Sequence, residues 1–128
     1  MDIVPFEPEH LGRITPSAIS SEHLAIFRCL YRPSGPAWTG IDFDNVLGCG
    51  GIICAGEVGR AWAILSHPVA AMAVHRAASR LLERAVRDLT IRRVEARALA
   101  SWPGACRWLE RLGFRAIGFD GEYGIYIR

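Results

Sequence analysis

The chain has 128 residues and carries 15 basic side chains against 13 acidic ones, and every basic one is arginine, which excludes Schiff-base lysines, pyridoxal-phosphate anchors and phosphate-loop lysines. The length fits one domain, 1–128, and 51% hydrophobic with 22% charged residues reads as an ordinary soluble globular chain, neither disordered nor collagen-like. A net charge of +2 is too small to argue for nucleic acid, no apolar run reaches the roughly 18 residues of a membrane span, and Met1-Asp2-Ile3-Val4-Pro5 lacks a secretory leader pattern.

In chain order, Asp2-Ile3-Val4-Pro5 predicts a short strand that Pro5 confines to an edge or an end. Glu7-Pro8-Glu9-His10-Leu11 places proline and acids at a helix start, and a second helix is expected from Glu22 through Tyr31, stopped by Pro33-Ser34-Gly35-Pro36. From Ala37 to Leu65 the pattern predicts an antiparallel meander with turns at Asp42-Phe43-Asp44-Asn45 and Gly56-Glu57-Val58-Gly59. Gly48, Gly50 and Gly51 inside its middle strand read as a bulge or a close backbone approach, with slack packing as the alternative. Pro68 to Leu89 is the clearest helix, with Ser66 and His67 as caps and an apolar stripe of Val69, Met72, Ala73, Ala77, Leu81, Ala85 and Leu89. Glu83–Arg87 and Arg84–Asp88 are spaced as exposed pairs one turn apart. Arg92 to Ala100 alternates as a half-buried strand, a helix from Ala105 to Leu112 ends at Gly113, and strands 114–119 and 123–127 close the chain. The four cysteines, at 29, 49, 54 and 106, have no metal-site spacing and read as reduced, so no metal is expected; Cys49 and Cys54 should face opposite sides of a strand.

This order, with Ile3 to Leu11 and above all Arg107-Trp108-Leu109-Glu110-Arg111-Leu112-Gly113-Phe114, resembles the GNAT superfamily of acyl-CoA-dependent N-acetyltransferases. The resemblance implies an α/β (α+β) fold, a mixed, mostly antiparallel sheet of about six to seven strands with helices on both faces. Ala61 to Pro68 followed by an arginine-rich helix is similar to small GNAT-like proteins of tailed phages and prophages, some of them virion-associated. That implies a place in the host cytoplasm or the virion, with virion proteins or a second copy as partners.

For function, the resemblance implies acetyl transfer from acetyl-CoA to a small-molecule or protein amine. The fourth and fifth strands, about 60–65 and 93–100, would splay to admit the pantetheine along Ile64 and Leu65. Ser66 and His67 would touch a phosphate or the thiolate, or else simply cap the helix. Arg76 and Arg80 would reach the 3′-phosphate or a nucleic-acid backbone, or form a solvated face. Glu95 is the candidate base if it faces the cleft, and Tyr126, of the pair Tyr123 and Tyr126, the candidate acid, with packing as the other reading of both tyrosines. Cys106, near the last helix's start, reads as reactive or as buried and structural. The sequence departs from the family pattern in having no glycine in residues 66–73, Leu109 where a tyrosine is usual, and Pro103 where asparagine is common. Those departures give the alternative: a catalytically silent GNAT-like phage protein. Nucleic-acid binding through the arginine helix is a weaker third reading.

Overall fold

The chain is described from a computed structural model that covers residues 1–14, 35–66 and 71–128. The helix expected over 22–31, with Cys29, and residues 67–70, with His67, lie outside the described residues. The elements are β1 (Asp2–Pro5), a 3-10 helix (Pro8–Arg13), β2 (Ala37–Asp42), β3 (Asn45–Ala55), β4 (Val58–Leu65), α1 (Ala71–Asp88), β5 (Arg93–Leu99), α2 (Pro103–Arg111), β6 (Arg115–Asp120) and β7 (Tyr123–Ile127). They build one seven-stranded sheet in the order β1-β2-β3-β4-β5-β7-β6. All neighbours are antiparallel except β4 and β5, whose connection is the crossover through α1 that a parallel pair requires. The expected sheet is thus present, and the final strand is inserted between β5 and β6.

The two faces carry separate cores. On one face, Leu82 and Ala85 of α1, Ile91, Leu112 and Phe114 pack on Ile52, Val94, Ala96, Ala98 and Tyr126. On the other, Leu11 and Ile14 at the 3-10 helix pack on Val46 and Cys49, with Phe6 meeting Trp62 edge-on at 5.4 Å. Cys49 lies in this second core and Cys54 against the first, as their odd spacing requires, and Cys49, Cys54 and Cys106 are free thiols.

A buried polar chain ties β1's corner to the sheet. The Glu7 backbone N–H donates to His10 Nδ1 at 3.1 Å, so that nitrogen is an acceptor and the Thr39 hydroxyl, 2.7 Å away, donates to it as well. Thr39 is 0% exposed, and the Cys49 thiol reaches its Oγ1 at 3.4 Å. Burial pushes the Cys49 thiol up, so it stays protonated.

Two details of the long helix differ from expectation. Its buried stripe is Val74, Ala78, Leu82 and Ala85, whereas Met72 is 70% exposed and Leu89 also lies outside. The helix is turned about one residue, roughly 100°, which sets Leu82, Ala85 and the partly buried Ala78 and Val86 against Ile52 and Val94 of the core. Glu83 pairs with Arg128 and Asp88 with Arg87, in place of the one-turn pairs expected within the helix.

Turn chemistry explains the chain reversals. A Cβ on Gly51 would stand 2.5 Å from the Pro36 carbonyl oxygen, so close backbone approach, not slack packing, accounts for that glycine; the register shift lies nearby, between Gly40 and Ile41 of β2. Gly113 has φ +94, with bonds from its own N–H to the Glu110 carbonyl and from the Phe114 N–H to the Leu109 carbonyl, each 3.0 Å: a Schellman ending. α1 ends the same way through Ile91 N–H to the Val86 carbonyl, but its left-handed residue is Thr90, at φ +54. Relief of that strain outweighs the added freedom of the unfolded chain, so Thr90→Gly is expected to stabilise the fold by about 0.5–1 kcal/mol. The midpoint in urea should rise at constant m-value; a lower midpoint would contradict the assignment.

Candidate functional site

The parallel pairing of β4 and β5 runs only through Val58–Arg93, Gly59–Val94 and Arg60–Glu95. Beyond it, β4 stays paired with β3 as far as Leu65 and β5 stays paired with β7 as far as Leu99. The edges that 63–65 and 96–99 turn toward each other therefore carry backbone groups with no sheet partner between them, and the strands open into a V, as expected for 60–65 and 93–100. Unpaired backbone donors and acceptors at such a mouth invite an extended ligand that supplies the missing bonds.

A cavity of about 280 Å³ occupies this opening. Ala61, Ala63, Ala96 and Ala98 form its floor on the helix side, and Val74 and Ala77 of α1 with Trp108 of α2 form its roof. The indole N–H of Trp108 donates to His75 Nδ1 at 3.3 Å, which fixes α2 against α1. The cavity passes through the V to the opposite face, where Arg97, Leu99 and Tyr123 line it. Among the described lining residues Arg97 has the one charged side chain, and its guanidinium is bound to Asp120.

The residues singled out from sequence fall in different places. Ile64 is on the β4 arm of the V, and Leu65 both ends that arm and lines the cavity. Ser66 is buried and gives its hydroxyl to the Val46 carbonyl at 2.6 Å, while its own N–H bonds the Leu47 carbonyl at 2.9 Å, so it pins the end of β4 to the start of β3. Arg76 and Arg80 are exposed on α1, one turn apart. Glu95 sits at the last paired position of the V, on the face away from α1 and α2, with its side chain 25% exposed and 2.7 Å from the Arg93 guanidinium. Tyr126 lies on the helix face inside the core and off the cavity, where a hydrogen bond to Cys106 first, then burial, then the charges of Cys106 and Glu110 push its phenol up to about 12. The Cys106 thiol also points at the Leu99 carbonyl, 3.6 Å away. The structure thus separates Glu95 and Tyr126 onto opposite faces.

Tyr123, paired with Leu99 at the open end of the V, is the tyrosine that lines the cavity. The strand period of two assigns Tyr123 and Tyr126 to opposite faces, but only the insertion of β7 beside β5 shows which of them reaches the opening. Trp102 and Trp108, also at the cavity, were legible only as core or rim aromatics. Among the described residues, no three His, Cys, Asp or Glu side chains gather in a way that would hold a metal, and no helix is long and apolar enough to cross a membrane.

No family model and no curated protein matches the sequence. Solved structures do match over nearly the whole chain. A spermidine N-acetyltransferase SpeG chimera from Vibrio cholerae and hSSAT has a TM-score of 0.71 at 12% identity, covering 98% of this chain and 93% of that one. The N-acetyltransferase PseH of Campylobacter jejuni has a TM-score of 0.69 at 11% identity, covering 99% and 96%. An acetyltransferase of the GNAT family from Streptococcus pneumoniae has a TM-score of 0.65 at 14% identity, covering 99% and 97%. Taken with the V between β4 and β5, these likenesses show that the chain has the fold of the GNAT N-acetyltransferases.

Proposed function

We propose that the chain is an acyl-CoA-dependent N-acyltransferase that takes acetyl-CoA as its simplest donor and an amine as acceptor. The observation that carries this reading is the V, where the β4–β5 ladder ends at Arg60–Glu95 and the edges at 63–65 and 96–99 fit a pantetheine arm with its own amide donors and acceptors. When bound, acetyl-CoA supplies an acyl group activated as a thioester. Ile64 and Leu65 hold the arm through backbone bonds, and Arg76 and Arg80 offer guanidinium donors to its phosphates. His67, outside the described residues, remains a sequence candidate for a phosphate contact. Ser66 acts by fixing the end of β4, because its hydroxyl is already given to Val46.

Proton handling belongs to the face away from the helices. Tyr123 holds a phenolic proton at the mouth of the V and can give it to a departing sulfur. Glu95 faces the same side but stands four residues back along β5 from Leu99, about 13 Å at roughly 3.3 Å per residue. It therefore takes the amine's proton through water. Asp120, paired across β7 with Tyr123, is the carboxylate beside that row. Tyr126 takes no proton-transfer role in this reading.

The SpeG proteins among the structural neighbours act on spermidine, which supports an amine as acceptor here. The silent phage-protein reading draws on the absence of glycine in residues 66–73 and on Leu109 in place of a tyrosine; the open cavity with Tyr123 at its mouth favours the transferase. Titrating acetyl-CoA while following thermal unfolding tests the choice. Ligand at 100 times its Kd should add about 2.7 kcal/mol of stability, and no shift at millimolar acetyl-CoA would sink the transferase reading.

A further inference from the structure

We propose that the helix-side half of the cavity is an acyl-chain pocket, and that the preferred donor carries an acyl group longer than acetyl. This rests on the reading that the V holds an acyl-CoA. An acetyl group fills little of this half, because the whole cavity is about 280 Å³ and the pantetheine arm takes the V itself. A dry apolar cavity of about 150 Å³ already takes a benzene ring, so the helix-side half has room for a chain of roughly six carbons.

The space exists because of which residues face it. Of the floor positions on β3, β4 and β5, Gly48, Gly50, Ala61, Ala63, Ala96 and Ala98 are small, where a packed layer under a helix would carry larger side chains, and Ile52 and Leu65 complete the floor. Ala77 and Ala78 are likewise small in the roof. An unfilled apolar void weakens a fold, and a void lined by so many small side chains in succession is better explained by a guest than by poor packing.

The chemistry of the two faces selects the guest. Among the described residues, the helix side presents no charged group to the cavity, whereas Glu95, Arg97, Asp120 and Tyr123 lie on the opposite side. An amine is charged near neutral pH, and moving it into the apolar half without a partner is costly. A neutral acyl chain meets no such cost. The chain is therefore assigned to the helix side, and the amine to the side with the carboxylates and the phenol.

Calorimetric binding of acetyl-, hexanoyl- and octanoyl-CoA to the full chain tests this without any turnover. Affinity should rise about two- to fourfold with each added methylene up to about six carbons, making hexanoyl- and octanoyl-CoA each at least about fifteenfold tighter than acetyl-CoA. Ala77→Leu puts a side chain into the roof, and the octanoyl-to-acetyl ratio should fall below about tenfold. The unliganded variant should be no less stable than the parent, since it fills empty space. Equal affinities for acetyl- and octanoyl-CoA would overturn the acyl pocket while leaving the transferase reading intact; binding of neither would overturn both. An Ala77→Leu variant that loses stability would show that the space is already filled. If the variant leaves the octanoyl ratio unchanged but abolishes binding of 2-phenylethylamine to the CoA-saturated protein, the cavity belongs to the acceptor and the proposal fails.

Discussion

Tyr123→Phe is expected to lower kcat for acyl transfer about a hundredfold while leaving the affinity for acetyl-CoA within a factor of two. The phenol is the proton donor that the V brings to its open end, and a positioned general acid typically contributes 10²- to 10⁴-fold. Phenylalanine keeps the ring and its place in the cavity wall, so the loss should fall on kcat and not on donor binding. Tyr126→Phe is the control. That phenol, pushed up to about 12 by its bond to Cys106 and by burial, lies in the core away from the cavity. Its loss should cost about 1 kcal/mol of stability and leave the rate nearly unchanged. Steady-state kinetics on the two variants separate the roles, and the reverse order of effects would assign the acid to Tyr126.

Phe114→Ala should destabilise the chain by about 3–5 kcal/mol, the range for truncating a buried phenylalanine. Phe114 is buried and follows Gly113 in the Schellman ending of α2, where its N–H closes the bond to the Leu109 carbonyl. Its ring packs in the cluster that joins Leu112 to Ala96 and Tyr126, so it fixes the end of α2 over β5 and β7. A loss of that size is a large part of the 5–15 kcal/mol typical of a whole domain. Urea unfolding should show it as a large drop in midpoint; a loss under 1 kcal/mol would contradict the packing described.

What the sequence disclosed was mostly local. Gly113 after a helix of the Trp-Leu-Glu-Arg-Leu type read as a left-handed stop, and it is one. The alternation of Arg92 to Ala100 marked a half-buried strand but could not say that Glu95 faces away from α1 and α2, because a period of two leaves the choice of face open. That choice is made by tertiary contacts: Val94, Ala96 and Ala98 go under the helices and carry Glu95 to the other side. The same parity hid Tyr123 behind Tyr126. Seven of the 17 alanines line one cavity, a pattern that appears only when β4, β5, α1 and α2 are brought together. The stripe on α1 was misplaced by about one residue because Leu81 and Leu82 both serve an apolar face, and the sheet decided between them.

The central claim is that the two arms of the V hold the pantetheine of an acyl-CoA. Amide hydrogen exchange, measured residue by residue with and without saturating acetyl-CoA, tests it most directly. Slowed exchange is expected at amides along 61–65 of β4 and 96–99 of β5, with β1, β2 and β6 unchanged. Unaltered exchange along both arms, or protection confined to another part of the sheet, would contradict it.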